Sequence, residues 1–314
     1  MLYYKNMTNA KGTKMTAAVT FNPSKNRYEG FVNGKRVSHS AHRDYVENKV
    51  NMLVGRMGHV KQALNEKRSE FGINKRFDFV KQMVDMVAKK TVASAIITGQ
   101  GGLGKSHTVM KALEEQGLQN VTELADFEVG QVLNARKCYR VIKGFSTAKG
   151  LYRTLFEGNK MTLVFDDCDS VLKDPVALNI LKGALDSYSE RYISWNADMK
   201  DDDLPRSFKF EGSVVFISNM ELEKLDQAIR SRAMCVDLSM TEDQKVERMG
   251  VIAMDQDFLP EYEREVKEDA LAFIREMVGE VENLSLRSLI AVCKIRATAE
   301  DWKDLAKYVL TQGA

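Results

Sequence analysis

Residues 93–106 read ASAIITGQGGLGKS, a short apolar run followed by a glycine-rich loop. The loop, Gly99–Ser106, matches the pattern G-x-x-x-x-G-K-[ST] in full, and a helical pattern follows over His107–Gln116. Glycines let consecutive backbone N–H groups turn toward phosphate oxygens, and a helix that begins at the loop adds its positive N-terminal end. The sequence therefore predicts a phosphate-binding loop between a strand and a helix.

The members of this loop have expected roles in holding a nucleotide. Lys105 can reach the β- and γ-phosphates, and the Ser106 hydroxyl is a suitable ligand for Mg²⁺. The predicted cofactors are therefore ATP and Mg²⁺. The predicted nucleotide-binding residues are Gly99, Gly101, Gly102, Leu103, Gly104, Lys105, Ser106 and His107.

A second apolar run, Met161–Phe165, ends in Asp166 and Asp167, about sixty residues after the loop. Ligands of parallel sheets bind at the carboxyl ends of the strands, so these carboxylates are expected near the phosphates. Asp166 is predicted to hold Mg²⁺ through water or together with Ser106. Asp167 is predicted to polarise a water for in-line attack.

The middle of the chain, residues 66–240, alternates helical patterns with short strands rich in β-branched residues. Strands without polar alternation, separated by helices, are typical of a parallel sheet covered on both faces. The predicted strands are Ala93–Thr98, Tyr139–Ile142, Met161–Phe165 and Val214–Ser218. Beyond Thr241, which begins a capping box, the patterns are helical; the predicted helices are Glu261–Val278, Leu286–Ala299 and Asp301–Leu310.

The front of the chain reads as a small sheet followed by a helix. Alternating runs occupy Met15–Phe21, Tyr28–Phe31 and Lys35–Ser38, and a helical pattern starts near Asp44. Basic and aromatic side chains are interleaved there, as on sheets that bind DNA. A domain that docks onto protein or other subunits fits the same pattern.

Composition restricts the function classes. Of the 314 residues, 44% are hydrophobic and 29% are charged, which excludes a wholly disordered chain. Residues 1–90 carry 18 Lys and Arg against 7 Asp and Glu, whereas the remainder carries 28 against 37. Residues 1–90 thus have a net charge of +11 and the remaining residues a net charge of −9. This asymmetry fits a polyanion partner, an internal docking surface or a merely solvated basic segment. Four dispersed cysteines, no membrane-length apolar run and no apolar leader predict a cytoplasmic protein without membrane contact.

The order of these motifs resembles an AAA+ ATPase over about residues 66–310. The phosphate loop and acidic strand end are followed by Asn219 at the end of Val214–Ser218, by residues 225–232 (LDQAIRSR), and by a helical tail. The resemblance implies an α/β fold with an αβα P-loop parallel sheet over residues 66–240 and a C-terminal helical lid over residues 241–314. Residues 1–65 are predicted to form a small basic N-terminal β-sheet-plus-helix module.

The resemblance also implies four catalytic roles. Asp167 acts on the attacking water, although the family usually has Glu there, and the shorter carboxylate predicts slower hydrolysis. Asn219 corresponds to the sensor-1 residue that orients this water. Arg232 corresponds to the arginine finger given to a neighbour's ATP, with Arg230 as the alternative, and Arg287 to the sensor-2 arginine of the same chain.

Each of these assignments has a plain structural alternative. Asn219 could instead cap the segment that follows it, Arg232 could be a solvated surface charge, and Arg287 could be an ordinary helix arginine. Phe145, after the second strand, could grip a threaded substrate or lie in the core. Residues 189–212 are predicted to form a hairpin that faces a pore or lies at an edge.

A trans arginine implies that the chain works as a homo-oligomeric ring or helix, for example a hexamer. The favoured function is ATP-driven movement or remodelling of DNA or a protein–DNA complex through the basic module. One alternative is a remodeller of protein substrates, and another is an ATP-controlled binding scaffold that hydrolyses slowly.

Overall fold

The computed structural model describes residues 3–8, 14–32, 34–43, 46, 49–50, 69–124, 134–188, 190–196, 204–281 and 284–312. The chain divides into two compact units, Met1–Glu70 and Phe71–Ala314. None of the helices in these described segments is long and apolar enough to cross a membrane.

The first unit contains an antiparallel sheet of four strands in the order β1-β2-β3-β4. The strands are β1 (Tyr3–Thr8), β2 (Lys14–Asn22), β3 (Arg27–Val32) and β4 (Lys35–Ser40). The three runs identified in the sequence lie within β2, β3 and β4, whereas β1 was not anticipated. Of the helical pattern predicted from Asp44, only part lies within the described residues.

Gly30 lets a helical segment approach one face of this sheet closely. A Cβ at Gly30 would lie 2.5 Å from a Val50 methyl and 2.8 Å from a Val46 methyl, so a larger residue would push the segment away. Val46 and Val50 form a small buried cluster with Val19 and Val32. Side chains alternate between faces along a strand, so the neighbours of Gly30 in β3 point to the opposite face.

The second unit is built on a parallel sheet of six strands with helices on both faces, which confirms the predicted α/β core. The strand order is β12-β5-β11-β8-β7-β6. The strands are β5 (Ser94–Thr98), β6 (Gln119–Asn120), β7 (Cys138–Lys143), β8 (Thr162–Asp166), β11 (Ser213–Ile217) and β12 (Met234–Asp237). The helices of this part are α1 (Ile73–Ala88), α2 (Lys105–Glu115), α3 (Ala148–Glu157), α4 (Pro175–Ala184) and the short α5 (Gln227–Arg230).

Each face of the sheet has its own hydrophobic cluster. Helices α1 and α2 pack on one face, where Phe77 and Leu113 meet Ile97. Helices α3, α4 and α5 pack on the other, where alternate residues such as Ile96 and Phe216 point. Strands covered on both faces need apolar residues at their central positions on both sides, which explains why β5, β8 and β11 lack polar alternation.

Residues of the predicted hairpin form two short antiparallel strands, β9 (Tyr192–Ser194) and β10 (Ser207–Lys209). Ile193 and Phe208 point into the core beside α3 and α4. The tip of the hairpin, residues 197–203, lies outside the described residues.

The C-terminal part of the second unit is helical, with a hydrophobic cluster of its own. Its helices are α6 (Glu242–Ala253), α7 (Arg264–Glu276), α8 (Leu286–Thr298) and α9 (Trp302–Thr311). The predicted capping box is confirmed, because the Thr241 side chain accepts from the Gln244 N–H and the Gln244 side chain accepts from the Thr241 N–H.

Candidate functional site

The glycine-rich loop joins β5 to α2 at the carboxyl end of the sheet. Gly99 has φ 132° and a Cβ there would lie 2.8 Å from the Leu238 carbonyl carbon, so both backbone conformation and space require glycine. Gly102 has φ 76°, a left-handed conformation that costs little only for glycine. These glycines set the curvature of the loop before the chain enters α2 at Lys105.

Lys105 lies under the loop rather than in solvent. Its ammonium donates to the carbonyl oxygens of Gly99 and Gln100, both at 2.7 Å, and to Oδ1 of Asn219 at 2.9 Å. Burial lowers the pKa of Lys105, and nearby Asp167 and Asp166 partly oppose this shift. The ammonium is thus held at the centre of the site.

Ser106 and Asp166 are joined directly. The Ser106 hydroxyl donates to Oδ1 of Asp166 at 2.8 Å. The second carboxylate oxygen, Oδ2, lies 3.3 Å from the ammonium of Lys143, the last residue of β7. A hydroxyl and a carboxylate on neighbouring elements are oxygen ligands of the kind that Mg²⁺ prefers.

Asp167 and Asn219 form the third part of the site. The Asn219 amide donates to Oδ1 of Asp167 at 2.7 Å while its own carbonyl oxygen accepts from Lys105. Asn219 therefore bridges two site residues, and Glu221 rather than Asn219 occupies the N-cap position of the short helix that follows. Asp167 has φ 57°, an uncommon conformation for a residue with a side chain, and it is exposed beside the loop.

Asp169 is a supporting residue that no motif of the sequence indicates. Its carboxylate accepts from the Ser218 hydroxyl at 2.6 Å, and the same hydroxyl accepts from the Met220 N–H at 3.0 Å. These bonds fix the turn on which Asn219 lies. Burial and, to a smaller degree, the neighbouring carboxylates raise the pKa of the Cys168 thiol to about 11.

The helical part contacts the phosphate loop. The Leu286 N–H donates to the Gly102 carbonyl oxygen at 2.8 Å, and a Cβ at Gly102 would lie 3.1 Å from Ser285 Cβ. Leu103, one of the predicted nucleotide-binding residues, buries its side chain in the hydrophobic cluster of the helical part. Arg287 is exposed in the first turn of α8, next to these contacts.

We expect Leu103→Ala to lower the free energy of unfolding by ~2–5 kcal/mol, because a buried leucine is lost where the loop meets the helical cluster. Chemical denaturation measures this directly. Val251→Ala removes a half-exposed side chain on α6 and serves as the matched control, with a change within about 0.5 kcal/mol. Equal effects of the two substitutions would show that Leu103 does not anchor the loop.

Arg232 lies at the opposite end of the sheet from the loop. It precedes β12, and its backbone carbonyl accepts from the hydroxyl of Ser94, the first residue of β5. The five residues of β5 separate this end from Gly99 by about 16 Å. The Arg232 guanidinium donates to the Ala228 carbonyl at 2.9 Å and lies 3.8 Å from Asp186. Arg232 is therefore the one predicted catalytic residue that the fold keeps away from the loop of its own chain.

His107 is exposed in the first turn of α2, directly after Ser106. The other predicted nucleotide-binding residues form the loop itself. No group of three or more His, Cys, Asp or Glu side chains able to hold a metal occurs in the described part of the chain. Ser106 with Asp166 is instead a partial set that fits a cation whose other ligands come from phosphate and water.

No protein-family model matches the chain. A protein of Enterobacteria phage T4, described as an uncharacterized 36.7 kDa protein in the nrdC-mobD intergenic region, is 26% identical over 266 residues. This alignment covers 79% of the present chain and 76% of the phage protein.

Among solved structures, the crystal structure of NtrX from Brucella abortus in complex with ADP matches with a TM-score of 0.37 and 11% sequence identity. The match covers 83% of the present chain and 55% of NtrX, so the chain spans about half of that protein's length. A likeness of this size does not bear on activity. The chain's own features remain: an α/β core of the P-loop kind with a phosphate-loop motif between β5 and α2.

Proposed function

We propose that this protein is an AAA+ ATPase that binds Mg-ATP at the Gly99–Ser106 loop and hydrolyses it. The observation that supports this most strongly is the bonded set formed by Lys105, Asn219 and Asp167 beside the Ser106–Asp166 pair. Two separate stretches of the chain, one with Asp166 and Asp167 and one with Asn219, meet the loop where the motif predicts phosphate. A glycine-rich turn with only a structural role would not need these side chains.

Each residue of the site has its own role in nucleotide binding or hydrolysis. The loop amides and Lys105 bind the phosphates, and Ser106 and Asp166 hold Mg²⁺, which neutralises phosphate charge during transfer. Asp167 accepts a hydrogen bond from the attacking water, and Asn219 fixes the Asp167 carboxylate. Arg287, in the first turn of α8, neutralises negative charge on the phosphates.

Arg232 supports an oligomeric working form. It is too far from the loop of its own chain to contact that chain's phosphates, so it acts on the nucleotide of a neighbour. A residue from one end of the sheet that meets the loop end of another copy makes a heterologous contact, which generates a ring or helix.

The basic module is proposed to bind DNA through the face of its sheet opposite the Val46–Val50 segment. On this face Glu29 accepts from Arg27 at 2.8 Å and from Arg36 at 3.2 Å. The hydrogen bonds from Arg27 are the main cause of the lowered pKa of Glu29. Two guanidiniums around one carboxylate leave a net positive charge, and their remaining donors are available to DNA phosphates.

We expect the double variant Lys35→Ala with Arg36→Ala to weaken DNA binding and to reduce the salt slope by about two, since two phosphate contacts are lost. Glu29 keeps its bonds to Arg27, so the sheet should fold normally. Fluorescence anisotropy with labelled duplex DNA across a salt series measures both quantities. The matched control is Lys224→Ala with Lys303→Ala, which removes two exposed charges from the second unit. If the salt dependence of DNA affinity has the same slope in both double variants, the module does not contact DNA.

One observation favours the alternative of a protein substrate. Phe145 is 81% exposed, so it is not a core residue. It follows β7 in a turn at the carboxyl end of the sheet, where an aromatic side chain could contact an extended polypeptide.

The experiment that separates these functions is the ATPase rate of the full chain with added duplex DNA, single-stranded DNA, RNA or an unfolded protein, together with particle size with and without nucleotide. Stimulation by DNA that disappears at high salt supports the first function. Stimulation by the unfolded protein supports the second. Tight ATP binding without turnover under every condition would identify a nucleotide-controlled scaffold and overturn both motor functions.

A further inference from the structure

Asp166, the carboxylate that would hold Mg²⁺ in the proposed site (the metal carboxylate), already has a cation beside it. Asp166 ends β8 and Lys143 ends the adjacent parallel strand β7, and the two residues are register partners. The Lys143 ammonium lies 3.3 Å from Oδ2 of Asp166, while Ser106 donates to Oδ1. Both carboxylate oxygens therefore have partners.

The burial of the two side chains is unequal, and this decides what the pair does. The Asp166 side chain is 7% exposed and the Lys143 side chain is 65% exposed. A buried carboxylate without a counter-charge is costly, so Asp166 depends on the pair. The lysine loses little when it moves into water, because its ammonium is already largely solvated.

Lys105 does not take over this role. Its ammonium is held by the carbonyl oxygens of Gly99 and Gln100 and by Asn219. A second cation that approaches Oδ2 must therefore compete with Lys143.

Lys143 also belongs to an exposed turn. Gly144 has φ 88°, which turns the chain sharply, and Phe145 follows with most of its side chain in solvent. At the far end of the turn, the Ser146 N–H donates to the Ser170 hydroxyl and the Ser146 carbonyl accepts from it, both at 3.3 Å. The turn is thus fastened at both ends to the segment that carries the site carboxylates.

We propose that Lys143 is a built-in counter-cation of Asp166 that holds the metal carboxylate in the nucleotide-free protein and leaves it when Mg²⁺ and nucleotide bind. This inference rests on the proposed nucleotide site. Two consequences follow. Lys143 weakens the affinity for Mg²⁺ by competition, and its departure releases one end of the turn that presents Phe145.

The test measures binding, with no need for turnover. A fluorescent ADP analogue is bound first in EDTA, and Mg²⁺ is then titrated into wild type, Lys143→Met and Lys173→Met. Lys173 is exposed and lies seven residues after Asp166, so it controls for the loss of one positive charge. We expect the half-saturating Mg²⁺ concentration to fall about three- to tenfold in Lys143→Met alone, as for removal of a partly exposed competing ion pair.

A Phe145→Trp background reports on the turn, with the emission of the two native tryptophans subtracted. Added Mg²⁺ should change the emission of the introduced indole in the nucleotide-bound protein, and Lys143→Met should abolish that change because the turn is already released.

Nucleotide affinity in EDTA shows that each variant is folded. An unchanged or raised Mg²⁺ requirement in Lys143→Met, with the analogue still bound, overturns the counter-cation role alone. Absence of analogue binding in wild type overturns the proposed nucleotide site together with this inference.

Discussion

Lys105→Ala is expected to weaken ATP binding at least about a hundredfold, the largest loss of nucleotide affinity that we predict for a single substitution. The ammonium is buried and held by two carbonyl oxygens and Asn219, so it already lies at the loop where the motif predicts phosphate. Removal of one partner from a desolvated charge pair costs a few kcal/mol, which corresponds to this factor. Isothermal titration with a non-hydrolysable ATP analogue measures the affinity.

Two further variants separate this effect from misfolding. Lys105→Met retains the aliphatic stem and should lose affinity to the same degree. Lys111→Ala removes a partly exposed lysine from the same helix, where it is paired with Asp257, and should bind normally. Wild-type affinity in Lys105→Ala would refute the assignment of the loop as a phosphate cradle.

Arg232→Ala is expected to reduce ATP turnover about a thousandfold while ATP affinity stays near that of wild type. An arginine supplied from a neighbour stabilises charge that develops only during phosphoryl transfer, and such arginines contribute factors of this size or more. Arg136→Ala is the matched control, because Arg136 is exposed on the same unit and forms a surface pair with Glu211. Steady-state ATPase rates and analogue affinities for the three proteins give the comparison.

A mixture of two inactive proteins tests whether Arg232 acts in trans. Asp167→Asn subunits supply an intact Arg232 to neighbours that carry Arg232→Ala, and those neighbours retain Asp167. Mixed assemblies should therefore recover part of the activity. If every ratio remains inactive although the subunits co-assemble, the arginine acts within its own chain or only supports structure.

The sequence predicted the central strands because their burial on both faces demands continuous apolar residues. The strands β5, β8 and β11 were recognisable for this reason. The strand β12 was missed because Met234–Asp237 is short and mostly half-buried at the edge of the sheet, so its composition carries no comparable signal. The strand β6 has two exposed residues and leaves no pattern at all.

The candidate site was predictable where a motif fixes both residue type and spacing, as for Lys105, Ser106 and Asp166. Lys143 was not predictable, since its place beside Asp166 depends on the register between two strands far apart in sequence. The only sequence feature of Asp169 that relates it to the site is its position three residues after Asp166. The packing of Leu103 into the helical part could not be foreseen, because it depends on tertiary contacts rather than on the loop pattern.

The central claim is that the Gly99–Ser106 loop encloses the phosphates of a nucleotide whose Mg²⁺ is held by Ser106 and Asp166. Isothermal titration of the purified full chain with Mg-ATP analogue, repeated with EDTA and with Asp166→Asn, tests it most directly. We predict one nucleotide per chain and weaker binding when either Mg²⁺ or the carboxylate is removed. A well-folded sample that binds no adenine nucleotide, or that binds it equally well in all three conditions, would contradict the claim.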